Sequence, residues 1–231
     1  MQIFYHKNLE NENHLVEEEA RHASQVLRKK AGDIIFVTNG YGKLFECILT
    51  STSKNRCDFT INKIIKNQIE RRKIHIAVAP TKNIDRMEWM LEKCTEIGVN
   101  EFSFISTKRT ERNKLNKERL DKIVISAMKQ SMNFHLPTIN DIVSFKEFIN
   151  RTKDIKGEKF IAYVDNENQS TIFQLSNKKD DSIVLIGPEG DFTDDELKLA
   201  IENNFRNVSL GSNRLRTETA CIIAAASLLI E

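Results

Sequence analysis

Two textures of hydrophobic and polar positions divide this chain. Up to residue 70, apolar and polar side chains alternate over short runs. Asp33–Thr38 and Lys43–Leu49 flank Asn39-Gly40-Tyr41-Gly42, a hairpin pattern, and Arg56–Ile61 adds another alternating run. One helix is expected from Glu17 to Lys30. The pattern fits a small β-barrel-like module.

Beyond residue 73 compact apolar runs alternate with longer segments of helical period. His75–Ala79 reads as a strand leading into a helix at Asp85–Ile97, which Gly98 closes. Phe102–Ile105 is the next strand, followed by a helix over 117–132, an irregular stretch after Pro137 and a short helix near 144–151. Phe160–Val164, Ser182–Ile186 and Asn207–Leu210 read as strands, and Thr217–Leu229 as a terminal helix. Thr193-Asp194-Asp195-Glu196 has the capping-box spacing that opens a helix. Trp89, among Met87, Met90 and Leu91, reads as core. The alternation predicts an α/β fold with a mostly parallel sheet covered on both faces. The charged stretch Asn67–Lys73 divides the chain into domains 1–70 and 73–231.

Composition narrows the classes. With 40% apolar and 29% charged residues among 231, the chain is an ordinary globular one. Its net charge of +2 leaves nucleic-acid binding to a local basic patch. The longest apolar run, Ile222–Ile230, falls short of the about 20 residues that cross a bilayer. Met1–His6 lacks the basic and apolar regions of a signal peptide, so a cytoplasmic location is expected. Cys47, Cys57, Cys94 and Cys221 show no C-x-x-C spacing, so neither zinc nor a redox dithiol is expected, and no metal is assigned. Cys94 and Cys221 read as small buried hydrophobes.

The chemistry concentrates in two glycine-marked loops, each following an apolar strand. Ile186-Gly187-Pro188-Glu189-Gly190 is neither a dinucleotide fingerprint nor a P-loop. Leu210-Gly211 and Leu215-Arg216-Thr217-Glu218-Thr219-Ala220 lead into a helix whose first N–H groups lack intrahelical partners. In open α/β sheets ligands settle at such strand ends, so one pocket built from neighbouring strands is expected.

Four separated blocks resemble the SPOUT-superfamily ribosomal RNA small-subunit uridine-N3 methyltransferases (RsmE-like). They are His22–Arg28 with Gly32-Asp33; Lys82 with Arg86-Met87-Glu88-Trp89; Glu92–Val99; and Ile186–Ala226. The resemblance implies a PUA-like N-terminal RNA-binding domain and a C-terminal SPOUT domain whose parallel sheet carries a deep trefoil knot. It also implies S-adenosylmethionine as cofactor and a homodimer. The implied substrate is N3 of a uridine in small-subunit (16S) ribosomal RNA, in an assembled or nearly assembled subunit. By this resemblance the cofactor loops are Tyr163-Val164-Asp165, Ile186 to Gly190, and Leu210-Gly211 with Leu215, Arg216, Thr217, Thr219 and Ala220. Backbone groups near Gly187, Gly190, Gly211 and Leu215 are expected to bind, with Ile186, Leu210 and Leu215 packing on the rings. Two departures stand out. Lys129-Gln130-Ser131-Met132-Asn133 occupies the place of Glu-Gln-Ser-Gly-Arg, and Asp191 that of a small residue.

Uridine N3 is a weakly acidic imide, so methylation there needs alignment and stabilisation of an anion. Arg216 is the candidate for that electrostatic role, and Glu218 or Glu189 the candidate proton acceptor. The rival reading pairs Arg216 with Glu218 or Glu189, or makes Glu189 a loop hydrogen-bonding residue. RNA contacts are expected from Arg28-Lys29-Lys30, Arg71-Arg72-Lys73, Lys108-Arg109 with Arg112, and Gln130, the basic groups forming a stripe from barrel to pocket. His22 reads as a packing residue. The alternatives are a SPOUT enzyme acting elsewhere on RNA, such as a ribose 2′-hydroxyl, and a non-catalytic RNA-binding assembly factor. A nicotinamide-dependent reductase is the weakest, since its glycine fingerprint is missing.

Overall fold

The computed structural model describes residues 1–69, 72–163 and 170–229. The chain forms two compact units, one of Met1–Glu70 with Met128–Leu136, the other of Arg71–Ala127 with Pro137–Glu231. A boundary at 67–73 alone leaves out the second segment of the first unit.

In the first unit, β1 (Ile3–Tyr5), β2 (His14–Val16), β3 (Ile34–Thr38), β4 (Lys43–Thr52) and β5 (Arg56–Asn67) form one sheet in the order β1-β3-β4-β5-β2. Only β1 and β3 run parallel. Alternation sends Ile35 and Val37, then Phe45, Cys47 and Leu49, into one core with Leu15, Ala20 and Phe59. Leu44, on the opposite face of β4, packs with Ile3 and Phe134. The β3–β4 turn is fixed by Asn39, whose Oδ1 accepts the Tyr41 N–H at 2.8 Å. Gly42 donates its N–H to the Phe134 carbonyl at 2.8 Å. A Cβ there would lie 2.4 Å from the Gln68 carbonyl oxygen and 2.7 Å from the His135 ring, so only glycine fits. This approach seats 128–136 in the first unit.

The helix expected over 17–30 is shorter. α1 (Glu17–Arg21) passes into a π-helical segment, His22–Val26. The wider turn, with Leu27 N–H on the His22 carbonyl, buries both Ala20 and Ala23. Arg28 then adopts φ 53°, which ends the helix. His22 packs edge-on against Phe4.

In the second unit six strands run parallel in the order β11-β9-β10-β6-β7-β8. They are β6 (Ile74–Val78), β7 (Glu101–Ser106), β8 (Thr138–Ser144), β9 (Glu158–Ala162), β10 (Ser182–Ile186) and β11 (Arg206–Val208). β6 and β10 are buried along their whole length, as central strands of a covered sheet must be. The helices are α2 (Ile84–Ile97), α3 (Lys117–Ser131), α4 (Phe145–Thr152), α5 (Ile172–Leu175), α6 (Asp194–Glu202) and α7 (Thr217–Leu229). Ala77, Ile105, Ile161, Ile183 and Leu185 pack with Phe145, Phe148 and Ile149 of α4 and Ala200 of α6. α7 packs against α2, β6 and β10. α6 opens with the expected capping box, Thr193 and Glu196 bonding each other's backbone N–H.

Two readings need correction. The stretch after Pro137 is strand β8. Asn140 and Asp141 interrupt its apolar alternation, which an edge strand with one partner tolerates. Trp89 is 47% exposed, because the buried stripe of α2 is Met87, Met90, Leu91 and Cys94, and Trp89 lies off it.

His75 of β6 is buried, its Nε2 2.8 Å from the Ser103 hydroxyl and 3.8 Å from Glu101. Burial pushes its pKa below the ordinary value, against a smaller upward pull from Glu101. The unfolded chain takes a proton near pH ~6.5, whereas the folded one resists it to lower pH. The contribution to stability is therefore full above that pH and lost as pH falls through the lowered value. The urea midpoint is expected to drop between pH 7 and 5, and His75→Gln to flatten that drop; an unchanged slope excludes His75 as its source.

Candidate active site

The carboxyl end of β9 and the loops after β10 and β11 surround a cavity of ≈ 600 Å³, within the ~300–1,000 Å³ typical of small-molecule sites. The two glycine loops do meet there, but their strands are not neighbours, since β9 lies between β10 and β11. Tyr163 and Ala162 contribute from β9 and its loop, Ile186 to Glu189 from β10, and Val208 to Thr217 from β11 and its loop.

Both glycine loops are tied down by named bonds. Thr217, first residue of α7, donates its hydroxyl to the Gly187 carbonyl at 3.0 Å, joining the two glycine loops directly. Arg214 donates to the Glu189 carbonyl at 3.1 Å and Arg109 to the Gly190 carbonyl at 2.5 Å. Asp191 follows at φ 63°, and its Oδ1 accepts the Phe192 N–H at 2.8 Å. A left-handed residue explains why a small residue suits this position and why aspartate is tolerated. Ser209 bridges its own turn, accepting from Gly211 N–H at 3.2 Å.

Of the sequence-predicted residues, Tyr163, Ile186, Gly187, Pro188, Glu189, Leu210, Gly211, Leu215, Arg216, Thr217 and Ala220 line the cavity. Val164 and Asp165 lie outside the described residues, as does Arg71. Gly190 and Thr219 do not line it. Thr171, Asp191, Ser209 and Ser212 to Arg214 do, and were missed. Arg214 carried a signal, a cation between Gly211 and Leu215; Thr171 carried none, because it arrives through a bridge to Ser209.

The charged candidates separate. Glu218 is buried, does not line the cavity and pairs with Arg86 of α2 at 3.6 Å, so a role as proton acceptor is withdrawn. Arg216 is exposed on the cavity wall and makes no ion pair among the described residues. The Glu189 side chain is exposed, and its carbonyl, not its carboxylate, accepts Arg214. Arg109 and Arg112 are engaged by backbone carbonyls, Arg112 on Thr81 and Lys82, which makes them loop clamps rather than free RNA cations. Arg28 and Gln130 are exposed and Lys29 half-buried. Lys129 pairs with Glu19 at 2.5 Å, which accounts for the lysine in place of an acidic residue. All four cysteines are free and buried; burial pushes Cys47 up to about 12 and raises Cys57, Cys94 and Cys221 as well. None is a thiolate nucleophile at neutral pH.

Thr217→Val keeps the shape and leaves the buried Gly187 carbonyl without its donor. It is expected to cost about 1–3 kcal/mol of stability in urea unfolding; an unchanged midpoint denies the bond that role.

A parallel α/β unit with a loop-built cavity at its strand ends, in a chain with a separate, mostly antiparallel β unit, is a ligand-binding enzyme fold with an appended module. The chain belongs to the RNA methyltransferase domain family, whose model matches residues 68–229. The RNA methyltransferase PUA domain model matches residues 15–62. "Ribosomal RNA small subunit methyltransferase E" of Rickettsia conorii is 29% identical over 206 residues, 88% of this chain and 83% of that protein. Its namesake in Bacillus subtilis is 29% identical over 224 residues, 91% and 87%. Among solved structures, a probable rRNA-methyltransferase from Porphyromonas gingivalis is 38% identical, with TM-score 0.90 over 99% of this chain and 98% of that one. A ribosomal RNA small subunit methyltransferase E from Neisseria gonorrhoeae bound to S-adenosyl methionine is 26% identical, with TM-score 0.86 over 99% and 96%.

Proposed function

We propose that this chain is an S-adenosylmethionine-dependent methyltransferase acting on N3 of a uridine in small-subunit ribosomal RNA. The observation that carries this is the cavity walled by the Gly187 and Gly211 loops, in a chain that matches the S-adenosyl methionine-bound Neisseria structure over nearly its full length. The residues suit that cofactor. Ile186, Leu210 and Leu215 offer apolar surface for an adenine ring, and the glycine loops expose backbone donors and acceptors close to it. A Cβ on Gly187 would lie 3.2 Å from Asp191 Oδ1 and the Phe192 ring, so glycine lets this loop pack closely against both. The cofactor supplies an electrophilic methyl group.

The chain's own residues then bind, orient and stabilise. Arg216, on the cavity wall and without an ion pair among the described residues, stabilises the uracil anion. Glu189, whose carboxylate is exposed on the cavity's rim, replaces Glu218 as the candidate proton acceptor. Arg109 acts through the Gly190 loop, as a positioning residue. Arg28, Lys29 and Gln130 remain candidates for RNA contact. The proposal extends to a trefoil-knotted domain at 73–231, a PUA-like domain at 1–70, a homodimer, a cytoplasmic location and an assembled subunit as substrate. Among the described residues no helix is long and apolar enough to cross a membrane.

The test is transfer of labelled methyl to naked ribosomal RNA and to small subunits, followed by nucleoside analysis. N3-methyluridine, formed preferentially in subunits, is the expected product. A 2′-O-methylated nucleoside moves the reaction to the ribose, and no transfer to either substrate ends the assignment.

A further inference from the structure

We propose that His6, Glu12 and His14 form a divalent-metal site, suited to Zn²⁺, that staples the two edges of the first unit's sheet. β1 and β2 are the two end strands of that sheet, and among the described residues each has a hydrogen-bonded neighbour strand on one side only. His6 follows β1 directly, and His14 is the first residue of β2. The loop between them therefore spans the two open edges, and its side chains converge where those edges come together.

The convergence has the geometry of a ligand set rather than of a hydrogen-bond network. His6 Nε2 lies 3.5 Å and His14 Nε2 3.9 Å from the same oxygen, Glu12 Oε2. One donor atom from each of the three residues falls within 4.8 Å of the others. These separations exceed the ~2.7–3.2 Å of an N–H···O bond. The two nitrogen–oxygen distances approach the roughly 3.3 Å that separates neighbouring ligands held about 2.0–2.1 Å from a tetrahedral zinc. Asn8 donates to Glu12 Oε1 at 3.4 Å, which leaves Oε2 to face the imidazoles. The two rings stand edge to face, 5.6 Å apart, so neither blocks the other's nitrogen.

Burial completes the picture. The His6 and His14 side chains are 12% and 19% exposed, and that of Glu12 is 46% exposed. The imidazoles are thus held by packing while the carboxylate side opens to water, which gives an ion a way in and a solvent molecule for the fourth position. Two imidazoles and one carboxylate favour zinc-like ions over calcium or magnesium, which prefer all-oxygen sets. The second shell sets the strength. His6 Nδ1 is buried without a hydrogen-bond partner among the described residues, so metal at Nε2 leaves the Nδ1 proton unsupported. Lack of such support typically weakens a site by about 10–100-fold, so micromolar affinity is expected. This site is independent of the methyltransferase reading.

The experiment is zinc titration of tag-free, chelator-stripped full-length protein by calorimetry, with Co²⁺ absorption as a second probe. One Zn²⁺ per chain with Kd on the order of 1–10 µM is expected, and bound zinc slows amide exchange in residues 3–5 and 14–16 severalfold. Glu12→Gln, a change at a half-exposed side chain, weakens binding at least ~10-fold; His6→Gln with His14→Gln removes the saturable component. A melting curve taken without metal checks that each variant folds. No saturable binding in the wild type overturns the proposal. Wild-type affinity in Glu12→Gln and in the double variant overturns it equally, by moving the ion elsewhere.

Discussion

Gly187→Trp is expected to weaken S-adenosylmethionine binding at least ~100-fold, a loss of roughly 3 kcal/mol, while the far-UV circular dichroism stays native. A Cβ at Gly187 already meets Asp191 Oδ1 at 3.2 Å and the Phe192 ring at 3.2 and 3.3 Å. Phe192 is itself buried in the core formed with α4 and α6, so it does not give way. An indole, which buries on the order of 150–250 Å², cannot be seated there without moving the loops that wall the cavity. Gly187→Ala supplies the graded control: its single methyl group requires shifts of a few tenths of an ångström, and less than ~10-fold loss is expected. Calorimetry with the cofactor distinguishes the outcomes. Wild-type affinity in Gly187→Trp means that the methyl donor binds away from this cavity.

The sequence made the loops legible because their signals are local. Glycine and proline after a wholly apolar run mark a strand end, and a threonine before an apolar segment marks a helix start; both appear in the structure as the walls of one cavity. What stayed hidden is non-local. Nothing near Ile186 or Leu210 says that β9 inserts between β10 and β11, because strand order is decided by crossovers tens of residues long. The same limit explains the arginines. A side chain's charge is written in the sequence, but its partner is not. Arg109 and Arg112 read as RNA cations and prove to hold carbonyls on other loops, whereas Glu218 reads as a neighbour of Arg216 and is held by Arg86 from α2. Trp89 shows the opposite failure: counting apolar neighbours ignores the angle at which a helix presents them. His6 and His14 fall on the edges of a sheet whose end strands are three residues each, too short for periodicity to register.

Arg216→Ala is expected to lower single-turnover methyl transfer at least ~10²-fold with cofactor affinity changed less than ~10-fold. Pairing decides the size of this effect. An arginine neutralised by a carboxylate contributes little field to a bound base, but Glu218 is engaged by Arg86, and Arg214 rather than Arg216 holds the Glu189 segment. Arg216 therefore stands at the cavity wall with its charge uncompensated by any ion pair among the described residues. Its own backbone is fixed, because its carbonyl accepts the Ala220 N–H at 2.8 Å as α7 begins. A cation on a fixed base needs little reorganisation when negative charge develops on the uracil oxygens, and that preorganisation is where such groups act most strongly. The pH profile separates this role from a structural one. Without the guanidinium the uracil imide loses its proton less readily, so the rate of Arg216→Ala keeps rising to higher pH than that of the wild type. Arg216→Lys, which restores charge without the planar fork, recovers part of the rate. A merely structural arginine predicts a lower rate with an unshifted profile and a lower melting temperature, and turnover at the wild-type level removes Arg216 from the chemistry altogether.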